Sequence, residues 1–333
     1  MPASRRSSLA VVAVVAFAIV VTFAGLFGAG AFSVGGFGRT PSTEPAPTSP
    51  FSKYVASGDK VLSEALSAVH VRLPTRQGAP APDLPARAFS GIRPHVVVGF
   101  LPSYELAKLK SAVLSDYSTI VFSSIGILGN GGLDHSSDGW LRLRQGEVAP
   151  LLSGAHRAGT EVLLGLSATS NSVIDALTAS PVASAGRLLA AVSPLLAQGF
   201  DGVDLDVEGQ SGAGRAGYST FVSVFSKALH ARKATWQLMV NTYPQSAVDS
   251  EGFYDVEALA PAVNEFFVMA YDMSDLAVPS ATAPLTGADL SDVSVVSSYA
   301  AGGFAAKSIL GVPFYGYDFP ASRGHPPAVT AGT

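Results

Sequence analysis

The chain contains no cysteine. Disulfides, zinc–thiolate sites, iron–sulfur clusters, lipid-modified cysteine anchors and cysteine nucleophiles are thereby excluded, and cysteine usage gives no reading of the redox compartment. Charge is scarce too: 14% of residues are charged, with Lys+Arg 21 against Asp+Glu 25 and a net charge of −4 at pH 7. A nucleic-acid partner is therefore not expected, because such proteins carry a basic face. The six histidines form no closely spaced pair, so neither a metal nor a cofactor is implied. There are two tryptophans, Trp140 and Trp236. No internal repeat with a period of 20–50 residues is visible. What the chain has is apolar mass: 48% of its 333 residues are hydrophobic, with 34 Gly and 22 Pro. That suffices for a large core and excludes a wholly disordered protein. The length fits two average domains or one large α/β barrel.

Three regions follow in order. Residues 1–31 read as a signal peptide or a signal-anchor: Arg5 and Arg6 precede an uncharged apolar run from Leu9 to Ala31. About 20 apolar residues can cross a bilayer as a helix. The run exceeds the usual signal-peptide core, yet Ala29-Gly30-Ala31 offers a small-x-small cleavage pattern. Cleavage gives a secreted protein, and retention gives one held to the membrane through this segment. In both cases the basic end stays inside and the remainder lies outside the cytoplasm. Residues 32–93 read as a linker rich in Pro, Ser and Thr, typified by Thr40–Pro50, with one short helix marked by Val55, Leu62, Leu66 and Val69. Residues 94–333 form the folded region.

In that region short apolar runs alternate with amphipathic ones. Strands are expected at Val96–Phe100, Thr119–Phe122, Glu161–Leu166, Gly202–Val207, Gln237–Val240, Phe266–Met269 and Ile309–Val312. Helices are expected at Ser103–Leu114, around Pro150–Ala158, at Ala183–Ala197 and at Tyr218–Ala231. Continuous Val/Ile/Leu strands separated by helices indicate a parallel sheet covered on both faces. Seven such units point to an α/β fold of the (β/α)8 TIM-barrel type, with a doubly wound open sheet as the alternative.

The chemistry is concentrated in the fourth strand, Asp201-Gly202-Val203-Asp204-Leu205-Asp206-Val207-Glu208. Side chains alternate along a strand, so Asp204, Asp206 and Glu208 share one face and Val203, Leu205 and Val207 the other. Carboxylates about 7 Å apart along a buried strand are costly to keep charged. They push at least one carboxyl toward its protonated form, as a general acid at neutral pH requires. Glu208 lies nearest the C-terminal end of the strand, where barrel active sites sit. Two other readings compete. Asp204 to Gly209 matches the opening of a calcium-binding EF-hand loop, but its twelfth position is Arg215 instead of Glu. A solvated acidic edge strand conflicts with the apolar residues in between.

The Asp201-x-x-Asp204-x-Asp206-x-Glu208 pattern resembles the catalytic signature of glycoside hydrolase family 18, the chitinase family. Met269-Ala270-Tyr271-Asp272 and Gly311-Val312-Pro313-Phe314-Tyr315-Gly316 resemble that family's sixth- and seventh-strand elements, in the right order. The resemblance implies a (β/α)8 barrel that hydrolyses β-1,4 bonds in N-acetylglucosamine-containing polysaccharide, of chitin or cell-wall type, by a retaining, substrate-assisted route. It implies that Glu208 is the acid and then the base. Asp206 would orient the substrate's acetamido group, Asp204 would support Asp206, and Tyr271 would bond the acetamido oxygen. Asp201, Met269, Asp272 and Tyr315 would bind substrate. Three departures stand out. Gly165-Leu166-Ser167-Ala168 occupies the place of the family's Ser-x-Gly-Gly. The first strand lacks a tyrosine unless Tyr104 supplies it. No eighth strand or floor tryptophan is visible after Pro320, so the last βα unit is expected to be missing or truncated and turnover to be impaired. The alternatives are a lectin-like barrel that binds glycan without cleaving it and a membrane-anchored protein that docks on the cell wall.

Overall fold

A computed structural model describes residues 96–111, 114–273, 280–317 and 328–330. The expected export segment and the linker lie outside these residues. Seven strands form one sheet: β1 (Val98–Pro102), β2 (Thr119–Gly126), β3 (Glu161–Ala168), β4 (Gly202–Val207), β5 (Gln237–Thr242), β6 (Glu265–Val268) and β7 (Ser308–Leu310). Each pairs in parallel with the next, giving the order β1-β2-β3-β4-β5-β6-β7. A doubly wound sheet needs a point where the order reverses, and none exists here.

The sheet is curled. Phe100 on β1 and Phe267 on β6 lie with ring centroids 4.7 Å apart. Five strand spacings of about 4.8 Å would hold them roughly 24 Å apart in a flat sheet. The two rings therefore meet across the interior of a barrel-type wall. Among the described residues β1 and β7 are its two edges, so seven of the expected eight strands are present.

The helices follow from apolar spacing. α4 (Pro181–Leu196) opens with a proline in its first turn and buries Ala185, Leu188, Leu189, Val192, Leu195 and Leu196. Pro is tolerated there because the first amides have no helical partner. α5 (Arg215–Arg232) buries Tyr218, Phe221, Val222, Phe225 and Leu229 on one stripe. α1 (Asp138–Arg144), α2 (Ala149–Arg157), α3 (Asn171–Ala179), α6 (Val256–Leu259) and α7 (Asp292–Ala301) complete the set. α7 starts at a capping box, in which Ser291 and Ser294 exchange side chain-to-amide bonds.

Four expectations are corrected. The helix expected over Ser103–Leu114 is a 3-10 segment, Ser103–Ser111, followed by a second at Leu114–Asp116. The first strand begins two residues later than expected, at Val98. α1, α3, α6 and α7 are additional: the first three are nine residues or fewer, too short for their periodicity to stand out, and the buried stripe of α7 includes Ser294 and Ser298, which hides its apolar period. Beyond Pro320, Ala328–Thr330 (β9) pairs antiparallel with Tyr315–Tyr317 (β8) as a separate two-stranded ribbon. Among the described residues no single helix is long and apolar enough to cross a membrane.

Candidate active site

Parallel strands end together, so their C-terminal ends and the segments beyond them form one mouth. In the ladder Gly165 pairs with Asp204 and Ser167 with Asp206, so these four share a face. Asp204 also pairs with Met239 on β5, which puts Asn241 on that face one step nearer the mouth. Val203, Leu205 and Val207 are fully buried between the wall and the helices. Exposure rises along the carboxylates: Asp204 is 1% exposed, whereas Asp206 and Glu208 are only partly buried. The ladder continues past β4 through the Glu208 amide, which donates to the Ala168 carbonyl at 2.9 Å. A strand here also removes the calcium-loop reading, since such a loop must turn at these positions.

The electrostatics are those of a shared acidic site. Burial pushes the Asp204 carboxyl well up, the Asp206 charge adds to this, and a hydrogen bond from Asn241 opposes it. Burial raises Asp206 as well, again opposed by Asn241. The Asn241 side chain thus serves both carboxylates. Glu208 is pushed up to about 8 by burial first, then by the charges of Asp206 and Asp272. The Tyr271 phenol is driven well up by burial and by the charges of Asp206, Glu208, Asp272 and Asp204. One hydroxyl therefore sits within the field of all four carboxylates.

Asp272 follows Tyr271 in the left-handed backbone region, with φ of 52°. Tyr315 donates its hydroxyl to Asp272 Oδ2 at 2.7 Å, and Tyr317 donates to Oδ1 at 2.8 Å. Met269 is buried, and its amide donates to the Thr242 carbonyl at 2.9 Å, tying the segment after β6 to β5. Tyr254 lies after β5 and donates to the Val207 carbonyl at 2.9 Å. Arg215 holds it there by donating to the carbonyls of Gly252 (2.9 Å) and Tyr254 (2.6 Å). The residue that breaks the EF-hand pattern is thus an anchor for the neighbouring loop.

Glu208, Asp206, Asp204, Tyr271 and Asp272 are brought together, with Tyr315 on Asp272. Asp201 is not among them. It precedes β4, at the opposite end of the wall, where its Oδ2 accepts the Val162 amide at 2.8 Å and lies 2.8 Å from His156 Nε2. Its carboxylate ties β3, β4 and α2 at the base, which corrects its expected place in substrate binding. Its odd spacing from Asp204 carried that signal. Tyr104 is 51% exposed beside β1 and does not fill the interior place of a first-strand tyrosine. Trp236 immediately precedes β5, also at the base; Trp140 stacks on His135 at 4.0 Å beyond β2. Asn241, Tyr254 and Tyr317 were not singled out from sequence. Tyr317 was the most accessible of them, being two residues from Tyr315 and so on the same face of a strand. The buried Tyr218 of α5 also feels the charges of Asp206 and Asp204, which, after burial, push its phenol well up. Among the described residues no group of three or more His, Cys, Asp or Glu is arranged to hold a metal ion.

Known proteins share this architecture. The Group IV chitinase of Ostrinia furnacalis superposes with a TM-score of 0.56 at 21% identity, covering 72% of each chain. The class V chitinase of Nicotiana tobaccum, solved in complex with NAG4, gives 0.55 at 19%, covering 66% of this chain and 67% of that one. The spore cortex-lytic enzyme SleL of Bacillus cereus gives 0.56 at 15%, covering 70% of this chain and 55% of its own. This chain thus spans little more than half the length of SleL. At such identities the likeness speaks for the fold. The sequence profile of the glycosyl hydrolases family 18 matches residues 96–330, which include β4 and every residue gathered at the mouth. With that match and a seven-stranded parallel wall carrying its carboxylates at one end, the chain belongs to glycosyl hydrolase family 18.

Proposed function

We propose that the protein hydrolyses β-1,4 bonds of N-acetylglucosamine-containing glycan with retention of configuration, using the substrate's own acetamido group as nucleophile. The observation that carries this reading is Glu208: a carboxyl held up to about 8, still reachable from the mouth, with two more carboxylates beneath it. At neutral pH such a group is mostly protonated and donates to the glycosidic oxygen as the bond breaks. The acetamido carbonyl closes on the anomeric carbon to give a cyclic oxazolinium ion, and the leaving sugar departs with the proton. Asp206 orients the acetamido nitrogen and offsets its growing positive charge. Asp204 is the more deeply buried of the pair and is the neutral partner that lets Asp206 stay ionised. Tyr271 donates to the acetamido oxygen. Glu208, now ionised, takes a proton from the water that opens the ring.

Substrate choice lies among chitin, cell-wall peptidoglycan and N-glycan cores. The deciding experiment incubates the protein with N-acetylglucosamine oligomers, peptidoglycan and N-glycan cores and measures released reducing ends. Release from one class assigns the substrate. Binding without release from any class favours a lectin-like barrel, and neither binding nor release overturns the reading. The protein acts outside the cytoplasm, secreted or held by its N-terminal segment, a reading supported by Arg5-Arg6 before the apolar run to Ala31. A reporter fused after Phe319 that is active in the cytoplasm alone contradicts it.

A further inference from the structure

We propose that Tyr317 is a positioning residue: the β8–β9 ribbon uses its hydroxyl to hold Asp272 ionised and fixed against the acid Glu208. The kinetic part of this proposal rests on the hydrolase reading above; the structural part does not.

The geometry is specific. Each oxygen of Asp272 receives one phenol, Tyr315 on Oδ2 at 2.7 Å and Tyr317 on Oδ1 at 2.8 Å. Two donors on two oxygens fix the plane of the carboxylate, and both favour its charged form. The backbone of Asp272 is in the left-handed region, uncommon outside glycine, so its side chain leaves the chain in a direction that an ordinary strand residue does not reach. The two tyrosines are i and i+2 on β8, with Gly316 between them, and their rings meet edge-on at 5.9 Å. Among the described residues β8 is not part of the seven-stranded wall. Its ladder is with β9, pairing Tyr315 with Thr330, Gly316 with Val329 and Tyr317 with Ala328. The ribbon is therefore a separate part that reaches back to the mouth, at Asp272 through both hydroxyls and at the Tyr271 ring, which Tyr315 meets edge-on at 6.1 Å.

The groups around this pair come from four directions. Asp204 and Asp206 stand on β4, Tyr254 follows β5, Tyr271 follows β6, and Tyr315 and Tyr317 stand on β8. Burial works against an ionised Asp272, and the two tyrosine bonds counter it. The charge so maintained acts on Glu208. Without the Tyr317 hydroxyl, Asp272 takes up a proton at higher pH, and the mouth loses a fixed acceptor and part of the charge beside the acid.

The test compares wild type, Tyr317→Phe, Asp272→Asn and the double variant, with side-chain carboxyls labelled with carbon-13 and titrated by NMR. In Tyr317→Phe the Asp272 midpoint is expected to rise by about one pH unit, the effect of losing one hydrogen bond to a charged group. The acidic limb of kcat/KM should rise with it, so that activity falls by up to about tenfold on the acidic side of the profile and less on the neutral side. In the Asp272→Asn background Tyr317→Phe should change neither limb. 3-Fluorotyrosine at position 317, a stronger donor of nearly the same shape, should lower the Asp272 midpoint and keeps the proposal testable if the Phe variant does not fold. An Asp272 midpoint that moves in neither variant overturns the proposal, as does an equal loss of activity with and without Asp272. If wild type cleaves no glycan, the hydrolase reading fails while the titration still decides the role of Tyr317.

Discussion

Glu208 is an unfavourable residue to bury, and that has a measurable consequence. Its carboxyl rises from 4.5 to about 8 on folding, so the folded state binds its proton more tightly than the unfolded chain. The stability linked to this group is fully present below about 4.5 and is lost as pH climbs to about 8. Glu208→Gln, neutral throughout, escapes the loss. Chemical denaturation should find the variant gaining on wild type by about 1–3 kcal/mol between pH 5 and pH 9, less than the full shift implies because the mouth is partly solvated. A constant difference across that range would show that Glu208 is not held protonated. Asp204 and Asp206 on β4 and Glu208 just beyond it were legible in the sequence because they alternate with Val203, Leu205 and Val207, and that parity has one physical meaning. Asn241, Tyr254 and Tyr317 were not. Each comes from another strand or loop, and its role exists only where the wall curls and brings segments distant in sequence together.

At the scale of elements, the expected strands were found at nearly their expected places because continuous apolar runs have few alternatives once both faces are covered. The misses have two causes: α1, α3, α6 and the 3-10 segment after β1 are each nine residues or fewer, too short to display a helical period, and α7 buries serines as well as apolar residues on its stripe. β9 is three residues beyond a proline pair and gains strand geometry from its partner β8. Helix packing offers a test in which propensity and packing oppose each other. Gly217 in α5 faces α3, and a Cβ built on it would stand 2.3 Å from the Thr178 carbonyl oxygen. Alanine is the better helix former by about 1 kcal/mol, but the clash forces α5 off α3 at a cost of about 1–3 kcal/mol or more. Gly217→Ala should therefore lower the melting temperature. A rise would mean that α3 yields freely.

For the whole molecule, curling is what turns a row of carboxylates into a site. Glu208 and Asp206 on the fourth strand meet Tyr271 and Asp272 after the sixth, which a flat sheet would hold apart. The strand-four signature made the family legible, whereas the way β1 and β6 face each other through Phe100 and Phe267 could be seen only in three dimensions. Retention and the role of Glu208 are tested together by following the anomeric form of the product by proton NMR as the protein and its Glu208→Gln variant act on an N-acetylglucosamine oligomer. Wild type should release the β-anomer first, and the variant should bind the oligomer while turnover falls by about 10²–10⁴-fold or more. Undiminished hydrolysis by the variant, or the α-anomer as first product, would contradict this reading.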